Sequence, residues 1–236
     1  MGNSRNQGQL PPCELGKDTI SLAADPAIGG SSILLRNQAG TPSILLHGDN
    51  NALVLNNKAN KGCVWLHADP VNGGSGINLR DQNGKDTIIL NGDTGDVILP
   101  NADCAEDFEI SPADLVDPGT VMALNDDGKL VQGKQPYDKR VAGVISGAGD
   151  LKPGLVLGRQ AGHADRVPIA LMGRVNCKID ADYGSVAVGD LLTTSATPGH
   201  AMKANDPIKS FGAVIGKALK SLETGRGLIP ILVALQ

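Results

Sequence analysis

The sequence predicts an all-β protein in which a short-strand repetitive β-helix or solenoid is followed by a pseudo-duplicated β-barrel-like domain. Two internal repeats predict this division. Residues 18–57 overlay residues 62–101 with a constant offset of 44 and no gap, and a second, longer repeat begins after residue 106. The composition agrees, since 31 Gly and 14 Pro residues indicate many tight turns.

The chain is therefore expected to have three parts. Residues 1–17 form a flexible tail or attachment segment, because they are rich in Asn, Gln, Gly and Pro and show no period. Residues 18–105 form a β-helical repeat domain with two 44-residue repeats. Residues 106–236 form a C-terminal β-barrel-like domain that caps the repeats and joins chains into a trimer.

Each 44-residue repeat contains pairs of aliphatic residues separated by one residue. This alternation places both members of a pair on one face of a strand, while Gly, Asn and Asp fill the corners between pairs. Eight short strands are predicted, with aliphatic positions that stack in successive coils. The pairs are Ile20/Leu22, Ile33/Leu35, Ile44/Leu46, Leu53/Leu55, Val64/Leu66, Ile77/Leu79, Ile88/Leu90 and Val97/Leu99.

The residue between the members of each pair is also apolar in six of the eight strands. Only Ser21 and Asn78 are polar at this position. Because apolar side chains on both faces of a strand indicate that both faces are covered, these six residues are predicted to contact other chains, most simply around a threefold axis. A single-chain solenoid is the alternative. The predicted interface residues are Leu34, Leu45, Val54, Trp65, Ile89 and Ile98.

The C-terminal part contains its own duplication. Residues 117–145 have the same glycine-punctuated strand pattern as residues 187–215, and residues 166–171 match residues 228–233. Two pseudo-symmetric halves of one barrel are therefore predicted. An amphipathic helix over residues 206–224 is the competing interpretation, which the strand-like counterpart around Gly143 disfavours.

Two segments of this part, residues 137–147 (YDKRVAGVISG) and 167–175 (VPIALMGRV), resemble the C-terminal intramolecular-chaperone domain of phage neck appendages and tail spikes. The N-terminal pattern resembles the trimeric β-helices of tail fibres and spikes. The resemblance implies a structural component of a phage or phage-derived particle, with the C-terminal domain as a trimerisation and capping module. Because that family includes self-cleaving members, a self-cleaving chaperone is one alternative, and a receptor- or glycan-binding fibre tip is another.

The expected partners follow from this resemblance and from the net charge of the chain. They are identical chains, other fibre or baseplate proteins that bind the tail, and a cell-surface receptor. The net charge of −4 with dispersed signs predicts no nucleic-acid partner, and no apolar run approaches the roughly 20 residues that a membrane span requires. Residues 1–12 do not resemble a signal peptide, so synthesis in the cytoplasm and a final location in a phage-like particle or extracellular assembly are expected.

No catalytic residue and no cofactor are predicted. Ser146 lacks the GxSxG context of a hydrolase nucleophile, and the acidic neighbours of Cys104 disfavour the thiolate that a cysteine nucleophile requires. Sugar binding usually uses aromatic platforms, for which Trp65 is the candidate. The four cysteines include no CxxC pair, so buried free thiols are expected, with disulfides as the alternative.

No metal site is predicted either. The residues that come nearest to one are His47, His67, Asp93 and Asp96, because His-x-Asp places two ligands on one strand face and Gly-Asp corners resemble calcium turns. The repeat itself does not keep these histidines, since His47 aligns with Asn91 and His67 with Ala23.

Overall fold

The computed structural model describes residues 20–25, 30–48, 51–68, 74–111, 116–159 and 165–234. The chain divides into two compact units, Met1–Pro100 and Asn101–Gln236. The described parts of both units are built from strands, so the predicted all-β class is confirmed. The predicted tail at residues 1–17 lies outside the described residues.

The described part of the first unit is one sheet of eight strands, in which each strand pairs antiparallel with the next one along the chain. All eight contain or begin at one of the predicted aliphatic pairs. This meander differs from the predicted β-helix or solenoid, whose coils would stack strands from successive turns. The strands are β1 (Ile20–Asp25), β2 (Gly30–Arg36), β3 (Pro42–His47), β4 (Ala52–Asn56), β5 (Gly62–Ala68), β6 (Ser75–Arg80), β7 (Asp86–Asn91) and β8 (Val97–Ile98).

A recurring corner explains the meander. After β2, the Asn37 side-chain oxygen accepts hydrogen bonds from the backbone N–H groups two and four residues further on, both at 3.0 Å. Asn57 after β4 and Asp81 after β6 accept the equivalent pair. Such a turn satisfies the backbone groups of a tight reversal, so each corner returns the chain antiparallel to the strand it has just left.

The second unit contains ten strands within its described residues. Two short helical segments accompany them, a four-residue helix α1 (Pro207–Ser210) and a 3-10 turn at Ala181–Tyr183. No helix in the described ranges is long and apolar enough to span a membrane. The strands are β9 (Asp103–Glu109), β10 (Val121–Leu124), β11 (Leu130–Gln132), β12 (Val141–Ile145), β13 (Pro153–Leu157), β14 (Arg166–Asp180), β15 (Leu191–Thr194), β16 (Ala201–Lys203), β17 (Val214–Ala218) and β18 (Arg226–Val233).

Five of these described strands close into a barrel. The long strand β14 pairs with both β16 and β18, and β15 and β17 complete the ring between them. The buried cluster consists of Val, Ile, Leu and Ala side chains with Cys177. An aliphatic core is what a chain with only five aromatic residues has to build. A closed ring also leaves no unpaired strand edge.

The two halves of this unit have the same order of neighbouring strands. One half runs β11-β10-β12-β14 and the other runs β16-β15-β17-β18. Within residues 206–224, Val214–Ala218 is a strand, as the duplication predicts. Pro207–Ser210 is helical instead, because the Asp206 side chain accepts hydrogen bonds from the N–H groups of Ile208 and Lys209 and starts a single turn.

The predicted domain boundary between residues 105 and 106 needs correction. Strand β9 begins at Asp103 and pairs with β13 and β14, so it belongs to the second unit, which begins at Asn101. The hydrophobic pattern hides this strand, because its inward-facing residues are Asp103, Ala105 and Asp107.

Candidate assembly surface

The six predicted interface residues lie in one row across the first sheet. Each pairs directly with its neighbour on the adjacent strand, and Ser21 and Asn78 fill the two remaining places. We call these residues the middle row. In strand order they are Ser21, Leu34, Leu45, Val54, Trp65, Asn78, Ile89 and Ile98.

Most of the apolar side chains in the middle row are buried or half-buried. Val54 is 3% exposed, and Leu34, Leu45, Trp65 and Ile89 are half-buried. The Arg80 guanidinium lies 4.5 Å from the centroid of the Trp65 ring, so this ring face is occupied and is not an open platform for a sugar. Ile98, in the last strand, is 41% exposed. Ile98 is thus the one exposed apolar side chain of the middle row among the described residues.

The opposite face of the sheet carries the aliphatic pairs in two cross-strand rows, which we call the pair face. Both rows consist of Ile, Leu and Val. One row is Ile20, Leu35, Ile44, Leu55, Val64, Leu79 and Ile88, and the other is Leu22, Ile33, Leu46, Leu53, Leu66, Ile77, Leu90 and Val97.

Much of the pair face lies in water. Ten of its described side chains are between 36 and 67% exposed. This differs from the sequence-based assignment of faces, in which the pairs form the core and the middle row meets other chains. The period of two separates the faces of a strand, but both faces here are apolar, and the pattern alone does not indicate which one is more exposed. The ten are Ile20, Leu22, Ile33, Ile44, Leu46, Leu66, Leu79, Ile88, Leu90 and Val97.

The four residues that come nearest to forming a metal site in the sequence do not come together in the structure. His47 in β3 and His67 in β5 are held apart by β4, since both pair with Ala52. Asp93 and Asp96 lie in the corner after β7. Within the described residues, no three His, Cys, Asp or Glu side chains come together in a way that could hold a metal ion.

Ser146 has a buried partner that the sequence does not indicate. Its Oγ donates a hydrogen bond of 2.9 Å to Asp103 Oδ1, and Ser146 is 2% exposed. Burial raises the pKa of the Asp103 carboxyl, although the hydrogen bond from Ser146 opposes this rise. The second oxygen, Oδ2, is buried without a partner among the described residues. The contact joins the start of β9 to the residue that follows β12.

A second buried carboxylate, Asp180, stabilises the barrel. Burial acts to raise its pKa, but hydrogen bonds from Thr197 and the Asp182 N–H, together with Arg226, outweigh burial and hold the pKa below its ordinary value. Thr197 Oγ1 donates at 2.6 Å and Arg226 Nε at 3.0 Å, both to Asp180 Oδ2. This network ties β14 to β18.

The described cysteines are free thiols. Cys177 lies in the barrel core, where burial raises the pKa of its thiol. Cys63 and Cys104 are partly exposed. Cys13 lies outside the described residues.

No protein-family model and no curated protein matches the chain. Among solved structures, it is similar to the crystal structure of the pre-mature bacteriophage phi29 gene product 12, with 15% identity and a TM-score of 0.41, over 64% of this chain and 25% of that one. It is also similar to the C-terminal fragment of that gene product, with 15% identity and a TM-score of 0.37, over 56% of this chain and 100% of that one. The chain thus spans about a quarter of the longer protein. A likeness at these TM-scores assigns neither family nor function.

Proposed function

We propose that the chain is a structural component of a fibre or spike in a phage or phage-derived particle, and that it works as a homotrimer without catalysing a reaction. The observation that carries the proposal is the first sheet, which has aliphatic rows on both faces and leaves one face largely in water. Apolar surface of this extent is stabilised when another surface covers it. Assembly with other copies supplies such a surface.

The second unit suits the role of a trimerisation and capping module. Five of its strands close into a ring that has no unpaired edge, so these strands are not free to recruit further strands. The phage-type setting rests on the resemblance of residues 137–147 and 167–175 to the intramolecular-chaperone domains of phage appendages.

The absence of catalysis is part of the proposal. Ser146 is 2% exposed, so an incoming carbonyl cannot reach its hydroxyl in this structure. Prolonged incubation of the full chain with and without ATP is expected to leave a single band. A discrete smaller fragment would support the self-cleaving chaperone instead.

Native mass spectrometry and sedimentation equilibrium on the full chain test the assembly. The expected species has three times the chain mass of 24.3 kDa. A single-chain mass across micromolar concentrations would contradict the proposal. A dimer would be consistent with self-assembly but would contradict the threefold arrangement.

A further inference from the structure

We infer that the pair face is the surface through which copies of this chain join, and that its occupant is the pair face of another copy. The inference rests on the proposed assembly function and adds the face that makes the contact. It replaces the middle row, which the sequence pattern indicates, with the opposite side of the same sheet.

The pair face is continuous across the sheet. One of its rows runs unbroken from β1 to β7 and the other from β1 to β8, with Ile, Leu or Val at each described position. Neighbouring strands lie about 4.8 Å apart, so eight of them present an aliphatic band about 35 Å long. No polar side chain interrupts this band.

The exposed area is close to what a stable interface needs. The ten side chains that are 36–67% exposed represent on the order of 600 Å² of apolar surface. A standard interface buries about 800 Å² on each partner, whereas the largest apolar patch on an ordinary monomer covers about 300–600 Å². The pair face is thus at the upper limit for a monomer and near the size of one side of an interface.

The chemistry of the face favours a second copy as its partner. Its rows offer neither charge nor hydrogen-bonding side chains, so only another aliphatic surface complements them. The first and second halves of the face also repeat each other, since Leu46 and Leu90 hold equivalent places 44 residues apart and pair with Ile33 and Ile77 in the same register. Because every copy has the same aliphatic face, the pair faces of neighbouring copies can cover one another around the proposed threefold axis.

Two residues of adjacent strands allow a matched test. Leu90 lies on the pair face and is 40% exposed, while Ile98 lies on the middle row and is 41% exposed. Aspartate at either position places the same charge at the same starting exposure on opposite faces of the sheet. Full-length Leu90→Asp and Ile98→Asp are compared with wild type by sedimentation equilibrium, with circular dichroism to follow folding.

Leu90→Asp is expected to raise the concentration of half-dissociation at least a hundredfold, because the interface would bury an unpaired charge in each copy. Ile98→Asp is expected to change the concentration of half-dissociation less than threefold. Leu46→Asp, in the other half of the face, should reproduce the effect of Leu90→Asp. Where both aspartate variants unfold, Leu90→Ser should weaken association in the same direction.

Three outcomes would overturn the inference or its basis. If the Ile98→Asp variant dissociates while the Leu90→Asp variant stays assembled, the contact lies on the middle row. Oligomers that survive all the variants would place it in the second unit, and would leave the proposed function standing. A monomeric wild type would instead contradict the proposed function itself.

Discussion

Gly216 shows how tightly single residues constrain the barrel. A Cβ at this position would meet the backbone oxygen of Leu232, with the Leu232 carbonyl carbon at 3.0 Å and the Val233 Cα at 3.1 Å. Because these are backbone atoms of the neighbouring strand, they move only if the strand moves. Gly216→Ala is expected to lower the free energy of unfolding by about 1–3 kcal/mol or more, measured by urea denaturation.

Gly133 provides the matched control for this substitution. It is also buried, but a Cβ there would have its nearest neighbours at 3.4 Å, an ordinary contact distance. Gly133→Ala is expected to stay within about 0.5 kcal/mol of wild type. Equal losses for the two variants would show that the close approach of β17 and β18 does not limit the side chain at Gly216.

Asp103 predicts a pH-dependent contribution to stability. Its folded-state pKa is raised, chiefly by burial, so folding favours the protonated carboxyl. This contribution is fully present below the unfolded pKa and is lost as the pH rises through the folded pKa. Asp103→Asn removes the ionisation while keeping an acceptor for Ser146. Relative to wild type, the variant should therefore gain stability as the pH rises from about 4, near the ordinary carboxyl value, towards 7.

The difference between variant and wild type is the quantity to measure, because Asp86, Asp180 and Asp190 have lowered pKa values and give the whole protein the opposite trend. Urea denaturation at several pH values measures this stability difference. Asp127→Asn, at an exposed corner, serves as the control for the loss of one charge. A stability difference for Asp103→Asn that does not change with pH would contradict the role of burial.

At the scale of single elements, the corners determine how the strands pair. Asn125, between β10 and β11, accepts hydrogen bonds from the N–H groups of Asp127 at 3.0 Å and Lys129 at 2.8 Å. Asn125→Ala removes both and is expected to lower the free energy of unfolding by about 1 kcal/mol. Asn125→Asp should restore it, since Asp81 forms the same corner in the first unit.

Thermal denaturation of the full chain measures this effect, with Asp127→Ala as the control within the same corner. The Asp127 side chain is exposed, so its removal should change the melting temperature little. A loss for Asp127→Ala as large as that for Asn125→Ala would indicate that the corner charge matters more than the hydrogen bonds.

The positions of the strands in the first unit were the feature of the fold that the sequence predicted best. Each predicted aliphatic pair in the first unit marks a strand, because alternation with a period of two is a local property that tertiary contacts reinforce. Strand β9 was missed for the complementary reason. Its buried face carries Asp103 and Asp107, whose burial depends on distant partners such as Ser146 and Arg159.

At the scale of the whole molecule, the position of β9 predicts where the chain can be divided. A fragment of residues 101–236 keeps this strand and its pairing with β13 and β14. It is expected to fold alone with a cooperative melt and dispersed amide signals. A fragment of residues 107–236 loses the fully buried Ala105 and the Asp103–Ser146 hydrogen bond, and it should be less stable by several kcal/mol.

The two fragments are compared by circular dichroism and NMR spectroscopy at equal concentration. Equal stability would mean that β9 is an accessory of the second unit and not part of its core. Failure of residues 101–236 to fold would contradict the division into two independent units.

The sequence by itself determined the strand class, the positions of the strands in the first unit, the turn-forming corners and the aliphatic character of the core. These features depend on contacts between residues close together in the chain. Only the tertiary structure decided that the first sheet is a meander, that β14 closes a barrel with β18, and that the pair face is the more exposed one. The physical reason is that exposure depends on the three-dimensional surroundings of each face, and two apolar faces such as those around Ile89 and Leu90 look alike in the sequence.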